Sequence, residues 1–340
     1  MSGMTAATLN KLRIIATDVC TTRGKWSPFR GMKYYSTSSH LLDISGVYPP
    51  IPTPFDAKGD VNYVQLERNF THWNKIPFAG YVVMGSNGEA IALERKEKLE
   101  LLRNVRKMAL PKSKLIAGLG MNTAAQTIEL CNAAADEGSA DAGLIITPAF
   151  FKGQMTSLSL RKYFEEVADK SKLPIILYSV PGNTAIDLGA EVPSALAKHP
   201  NCIGMKDSGG DITKIAQIVH ETRDADFQVL AGSAGFLLPA LLMGCVGGIC
   251  ALANVLGSQV CELYSLFRQG KLPDAVSLQG KLIVPNLLVT KIMGLPGLKA
   301  SMDATGQLYG GPCRSPLLPL EAKLVEQLLE RFNQNGFPLK

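Results

Sequence analysis

From Gly46 onward the chain repeats one kind of unit, a short run rich in β-branched residues followed by a longer stretch with apolar residues three or four apart. A run of the first kind packs as a strand, and a stretch of the second as a helix with one buried face. Alternation of the two leads to a parallel sheet, because parallel neighbours can be joined only by a long crossover. The spacing predicts strands at Gly46 to Tyr48, Gly80 to Met84, Lys114 to Gly118, Ala142 to Thr147, Pro174 to Val180, Cys202 to Lys206, Phe227 to Ala231 and Gly247 to Ala251. Helices are expected at Val61 to Trp73, Arg95 to Met108, Thr123 to Glu137, Ser157 to Ala168, Glu191 to Lys198, Ile212 to His220 and Gly235 to Met243. Eight such strands favour an α/β fold closed as a (β/α)8 TIM barrel, and no Gly-x-Gly-x-x-Gly fingerprint follows a strand as in open dinucleotide-binding sheets. Beyond Gly257 the pattern is helical only, at Gln259 to Arg268, Leu272 to Asn286 and Leu320 to Phe332. The expected organisation is a barrel over residues 41–256 and a helical C-terminal extension over 257–340.

Residues 1–40 have a different character: Lys11, Arg13, Arg23, Lys25, Arg30 and Lys33 face a single acid, Asp18, while Leu9, Leu12, Ile15 and Val19 recur at helical spacing. Such a segment reads as a mitochondrial transit peptide, the alternative being a disordered cytosolic tail. It holds most of the net charge of +6, so the rest carries no basic excess suited to nucleic acid. No window approaches the roughly 18 uninterrupted apolar residues of a membrane span. The seven cysteines are scattered, without a Cys-x-x-Cys pair, which favours free thiols in a reducing compartment.

In a barrel of this type the chemistry gathers at the C-terminal tips of the strands. The polar residues expected there are Thr53, Ser86, Asn87, Glu89, Thr147, Tyr178, Ser179, Lys206, Ser208, Ser233 and Asn254. None of the four histidines, His40, His72, His199 and His220, is among them, so neither a His-carboxylate metal set nor a Ser-His-Asp triad is expected. Lys206 ends the apolar run from Cys202, and strict alternation puts it on one face with Cys202 and Gly204, opposite Ile203 and Met205. Two readings fit it: a lysine snorkelling to solvent, or a desolvated amine able to form a Schiff base with a ketone. Tyr178 fits either as a packed core tyrosine or as a proton shuttle to a neighbouring-strand lysine. Ser86 to Glu89 matches a helix capping box, and the same turn would suit a substrate carboxylate.

Taken together, Gly85-Ser86-Asn87-Gly88-Glu89, Tyr178-Ser179-Val180-Pro181 and Gly204-Met205-Lys206-Asp207-Ser208 resemble the dihydrodipicolinate synthase/N-acetylneuraminate lyase family of Schiff-base aldolases. The resemblance runs from about Gly46 to the C-terminus. With Lys206 to Asp211, Ala231 to Phe236 and Gly310-Gly311-Pro312-Cys313-Arg314, it is greatest to mitochondrial members that cleave 4-hydroxy-2-oxoglutarate in hydroxyproline degradation. It implies that Lys206 forms the Schiff base, Tyr178 relays protons, Ser86 and Asn87 hold the substrate's C1 carboxylate, and Ser208 and the Gly232 backbone meet the rest of the substrate. It also implies a 2-oxo acid substrate, no cofactor or metal, and a homotetramer. Three departures stand out: Ser86-Asn87 replaces the usual Thr-Thr, Asn183 stands where dihydrodipicolinate synthases carry an arginine, and Phe150 stands where a tyrosine reaching into the neighbouring subunit is usual. Another pyruvate-dependent lyase or synthase of the family, or a catalytically weak 2-oxo acid binding barrel, are the alternatives.

Overall fold

A computed structural model describes residues 42–340. The transit peptide expected in residues 1–40 lies outside the described residues. Eight parallel strands form one sheet: β1 (Gly46–Tyr48), β2 (Gly80–Val83), β3 (Lys114–Gly118), β4 (Ala142–Ile146), β5 (Ile175–Ser179), β6 (Cys202–Asp207), β7 (Gln228–Ala231) and β8 (Gly247–Ile249). The order β1-β8-β7-β6-β5-β4-β3-β2 runs once around a barrel. Between β1 and β2 a full ladder is missing because Pro49 and Pro50 have no N–H to give. The barrel closes there through Ala79 N to Val47 O at 3.0 Å, Val82 N to Pro49 O at 3.0 Å and Ile51 N to Val82 O at 2.9 Å.

Outside the strands lie α1 (Tyr63–Trp73), α2 (Arg95–Met108), α3 (Ala124–Asp136), α4 (Ser157–Lys170), α5 (Glu191–Leu196), α6 (Ile212–Glu221), α7 (Leu237–Leu242) and α8 (Gly257–Arg268). Their N-termini all face the rim at which the strands end, and local side chains fix several of them. Asn62 accepts from Gln65 N, Thr123 from Gln126 N, Thr156 from Ser159 N, and Asp211 from Thr213 N and Lys214 N. Among the described residues a capping box forms between Glu94 and Glu97 at the start of α2. The one expected at Ser86 and Glu89 does not form: Ser86–Gly88 is a single 3-10 turn, and Glu89 sits in the left-handed region at φ 53° with its side chain turned elsewhere.

Helix α8 packs against β1, α7 and the following helix, so it is the eighth helix of the ring. The barrel therefore runs to Arg268, past the boundary expected at 256. The extension comprises α9 (Leu272–Leu287), a π turn at Leu288–Ile292, α10 (Gly294–Ala304) and α11 (Ala322–Gln334). Helix α10 was not anticipated because Gly294, Pro296 and Gly297 read as a loop. Pro296 falls in the first turn, where its missing N–H costs nothing.

The barrel interior is filled by Tyr48, Val82, Ile116, Leu144, Ile176, Tyr178, Leu230 and Ile249, drawn from seven strands, with Ile203 from β6. Ile203 was expected on the opposite face. Ile175 pairs with Cys202 while Ile176 pairs with Gly204, so Ile203 is an extra residue in β6 and turns inward. Below, Ile44 plugs the barrel floor, its N–H donating to Gln228 Oε1 at 2.9 Å.

One buried charge is poorly matched. Lys98 on α2 is 5% exposed, and the partner of its ammonium is the Met121 sulfur at 3.5 Å. Burial lowers its pKa below the ordinary lysine value, so carrying the proton costs stability, and that cost fades as pH rises through the folded pKa toward 10.5. Lys98→Met is expected to raise Tm by about 2–4 °C, corresponding to ~1 kcal/mol. Calorimetry at neutral pH checks this; a lowered Tm would show the ammonium to be well solvated.

Candidate active site

The strand tips sort the expected polar residues into two groups. One group converges. Tyr178 and Lys206 are register partners on β5 and β6, and the Lys206 amine sits over the Tyr178 ring, 4.0 Å from its centroid. Both are buried, at 4% exposure each. The Tyr178 hydroxyl lies 3.3 Å from Ser86 Oγ, across the barrel mouth on the turn after β2. Burial pushes the Tyr178 phenol up, but the Lys206 ammonium, followed by hydrogen bonding with Ser86, Lys206 and Ser208, outweighs it and holds the phenol below its ordinary value. A lysine amine and an acidified phenol in contact inside an apolar barrel can form an imine and move a proton beside it.

Asn87 is half-buried beside Ser86, and its side chain makes no hydrogen bond among the described residues. Ser208 begins the loop after β6, its N–H donating to Ser179 O at 2.9 Å. Gly232 must be a glycine, since a Cβ there would lie 2.0 Å from Ser208 Oγ and 2.5 Å from Asp207 O. Its N–H already donates to Asp207 O at 2.7 Å and its carbonyl accepts from Ser208 Oγ at 3.5 Å, so only a second lone pair of that carbonyl is left to meet a ligand.

The second group is architectural. Thr53 Oγ1 donates to Gly88 O at 2.7 Å. Ser179 Oγ points outward, donating to Asp187 Oδ1 at 3.2 Å and accepting from Leu188 N at 3.2 Å. Ser233 exchanges hydrogen bonds with Asn286 of α9, and Asn254 Nδ2 donates to Pro50 O and Ala251 O, both at 3.0 Å. Thr147 is buried with its hydroxyl unpaired, and Phe150 is 77% exposed on the following loop, stacked edge-to-face on Phe151 at 4.9 Å.

Other groups at this rim were not anticipated. Asp207, next to the lysine and fully buried, accepts from Gly209 N at 2.9 Å and Gly210 N at 3.3 Å and pairs with Lys214 at 2.8 Å. Lys214 also pairs with Asp187, so one side chain ties the loops after β5 and β6 together. Alternation places Asp207 outside the barrel, which hinted at a helix-side partner without naming it. Cys250 past β8 is fully buried near Lys206; burial pushes its thiol up to about 12 against the opposing lysine charge.

A buried lysine beside a tyrosine at the mouth of an eight-stranded barrel defines a class of protein, the Schiff-base lyases and synthases. Within that class the chain belongs to the dihydrodipicolinate synthetase family, whose model matches residues 43–334. It is 34% identical over 294 residues to a 4-hydroxy-tetrahydrodipicolinate synthase of Methanoculleus marisnigri, covering 86% of this chain and 99% of that one. It is 32% identical over 292 residues to one from Listeria monocytogenes, covering 83% and 95%. Among solved structures, the pyruvate complex of the chloride-inhibited dihydrodipicolinate synthase of Acinetobacter baumannii superposes with a TM-score of 0.81 at 27% identity, covering 87% of this chain and 100% of that one. A prophage protein of the dihydrodipicolinic acid synthase family from Escherichia coli K12, also in complex with pyruvate, gives 0.81 at 26% identity with the same coverage.

Proposed function

We propose that the protein is a metal-independent class I aldolase that cleaves 4-hydroxy-2-oxoglutarate into pyruvate and glyoxylate. The observation that carries the reading is the Lys206 amine, buried at the barrel mouth against Tyr178, whose hydroxyl lies 3.3 Å from Ser86 Oγ. The pyruvate bound by two structural relatives supports a 2-oxo acid as the ligand.

The Lys206 amine adds to the C2 ketone and water leaves, giving a protonated imine. Tyr178 then takes the proton of the C4 hydroxyl, and its lowered pKa suits it to that task. The C3–C4 bond breaks, its electrons passing into the imine; glyoxylate departs and an enamine remains. Protonation at C3 and addition of water return pyruvate and the free amine. The imine is the electron sink, so no step calls for a metal. Ser86 and Asn87 face the C1 carboxylate, and Ser208 and the Gly232 backbone meet the rest of the substrate.

Asn183, exposed on the helical turn Pro181–Thr184 after β5, stands where dihydrodipicolinate synthases carry an arginine for the carboxylate of their aldehyde substrate. This counts against their reaction without itself selecting 4-hydroxy-2-oxoglutarate, whose C5 carboxylate is the same kind of group. A second reading, 4-hydroxy-tetrahydrodipicolinate synthesis, is favoured by the relatives' own activity. The two are separated by products. Glyoxylate release from 4-hydroxy-2-oxoglutarate is expected, and turnover of aspartate semialdehyde with pyruvate in its place would reverse the assignment. Trapping with pyruvate and borohydride tests the ground common to both, a stable adduct mapping to Lys206.

Mitochondrial matrix delivery and assembly as a homotetramer belong to the same proposal. The first rests on the basic, acid-poor segment 1–40 and is checked by N-terminal sequencing of protein from isolated mitochondria, the second by sedimentation. The proton relay gives a further prediction. Phe150→Tyr is expected to raise the cleavage rate, by up to about 10²-fold if the added hydroxyl joins the relay. An unchanged kcat would show that this hydroxyl does not limit turnover.

A further inference from the structure

The fully buried ion pair of the described residues that lies nearest the site is not part of its chemistry. Lys299, on α10 of the extension, meets Glu89 at 2.6 Å, with side-chain exposures of 2% and 3%. The ammonium donates to Thr53 O at 2.9 Å and Pro312 O at 2.8 Å and stands in ion-pair contact with Glu89 Oε1, which has no hydrogen bond of its own. It also lies over the Phe55 ring, 4.7 Å from the centroid. The other Glu89 oxygen accepts from Arg314 N at 2.8 Å. Arg314 in turn grips the same region, donating to Ala92 O at 2.7 Å, Gly59 O at 2.8 Å and Glu97 Oε2 at 2.8 Å. The strap Gly310-Gly311-Pro312-Cys313-Arg314 lies against α10 because Gly310 has no side chain; a Cβ would lie 2.1 Å from Lys299 O.

Glu89 immediately follows the turn that carries Ser86, and a left-handed glutamate persists only where its surroundings hold it. The same turn is pinned from the other side by Thr53 Oγ1 on Gly88 O. From α10 the connection runs through Lys299, Glu89 and the turn to Ser86, and from Ser86 to the Tyr178 hydroxyl. A pair needed only for stability gains nothing from being charged, since an apolar pair of similar volume often does as well when buried. What the pair supplies, with the ammonium held by two backbone carbonyls and one carboxylate oxygen held by Arg314 N, is one defined geometry.

We propose that Lys299 and Glu89 are positioning residues, by which the C-terminal extension sets the Ser86-Asn87 turn against Tyr178 for binding the substrate carboxylate. This rests on the carboxylate role given to Ser86 and Asn87 above. Neither residue touches substrate; both act through the turn. The Gly310–Arg314 segment, part of the family resemblance without a chemical role of its own, is the strap that closes the latch.

Single replacements strand a buried charge and risk unfolding, so the informative variant is the double Glu89→Gln/Lys299→Met, which removes both charges and keeps an acceptor for Arg314 N. Two measurements on the full chain decide the proposal. Amide exchange should speed up at 86–89 while amides of β5 and β6 keep their protection. The pyruvate concentration giving half-maximal borohydride adduct on Lys206 should rise about 10–100-fold, with the yield at saturation retained. Unchanged exchange at the turn overturns the latch, and so does a loosened turn with an unchanged pyruvate dependence. Loss of adduct at every pyruvate concentration, with β5 and β6 still protected, also overturns it, since the lysine chemistry would then depend on the pair directly. If the native sequence itself forms no adduct, the aldolase reading fails, and the exchange comparison still decides whether the pair orders the turn.

Discussion

In Lys206→Met, pyruvate and borohydride will leave the mass of the chain unchanged, where the native sequence gains one reduced adduct. Cleavage of 4-hydroxy-2-oxoglutarate will fall by on the order of 10⁴–10⁶-fold, the scale on which removal of a covalent nucleophile acts. Methionine matches the lysine stem in volume and leaves an apolar group in an apolar barrel, so the fold should survive. The Lys206 amine is buried against the Tyr178 ring, and among the described residues no carboxylate pairs with it. Of the other lysines near this rim, Lys214 and Lys299 are committed to carboxylates, and the buried Lys98 sits on α2, outside the strands, with its amine on the Met121 sulfur. An adduct formed at full yield in Lys206→Met would place the imine on another lysine and remove the basis of the assignment.

Tyr178→Phe separates imine formation from bond cleavage. The ring remains to support the amine, so pyruvate should still be trapped on Lys206, while kcat for cleavage falls by about 10²–10⁴-fold with loss of the proton acceptor. The pH profile gives the sharper reading. Tyr178 serves as base when ionised, so the native rate climbs with pH through a pKa that lies below the ordinary tyrosine value of 10.0. In Tyr178→Phe that limb disappears. A limb that persists in the variant would assign the titration to another group and leave Tyr178 a packing residue.

Lys206 and Tyr178 were legible in the sequence because both depend on short-range pattern. Each ends an apolar run of one strand, and chain order made those strands neighbours. Their face assignment also held, since β5 and β6 carry them in register. Ile203 shows the limit of this reasoning: a single inserted residue turned it inward, and nothing local marks a bulge that exists to satisfy a partner strand. Glu89 shows another. Its spacing from Ser86 is that of a capping box, yet the carboxylate answers a lysine more than 200 residues away, and that attraction won over the local cap. Lys299 was hidden further, in a helix whose Gly-Leu-Pro-Gly start reads as a loop.

The sequence alone determined what depends on period and order: eight strand–helix units, hence a closed parallel barrel, and a lysine and a tyrosine at adjoining strand tips. Tertiary structure decided what depends on pairing across long separations. It joined Ser86 to Tyr178 across the barrel mouth, gave Gly232 a carbonyl rather than an N–H to offer, placed α8 in the ring, and brought Lys299 to Glu89. The physical reason is that a period of 2 or 3.6 residues repeats along the chain and can be read there, whereas the partner of a buried charge or hydroxyl is whichever group the completed fold carries within hydrogen-bonding distance.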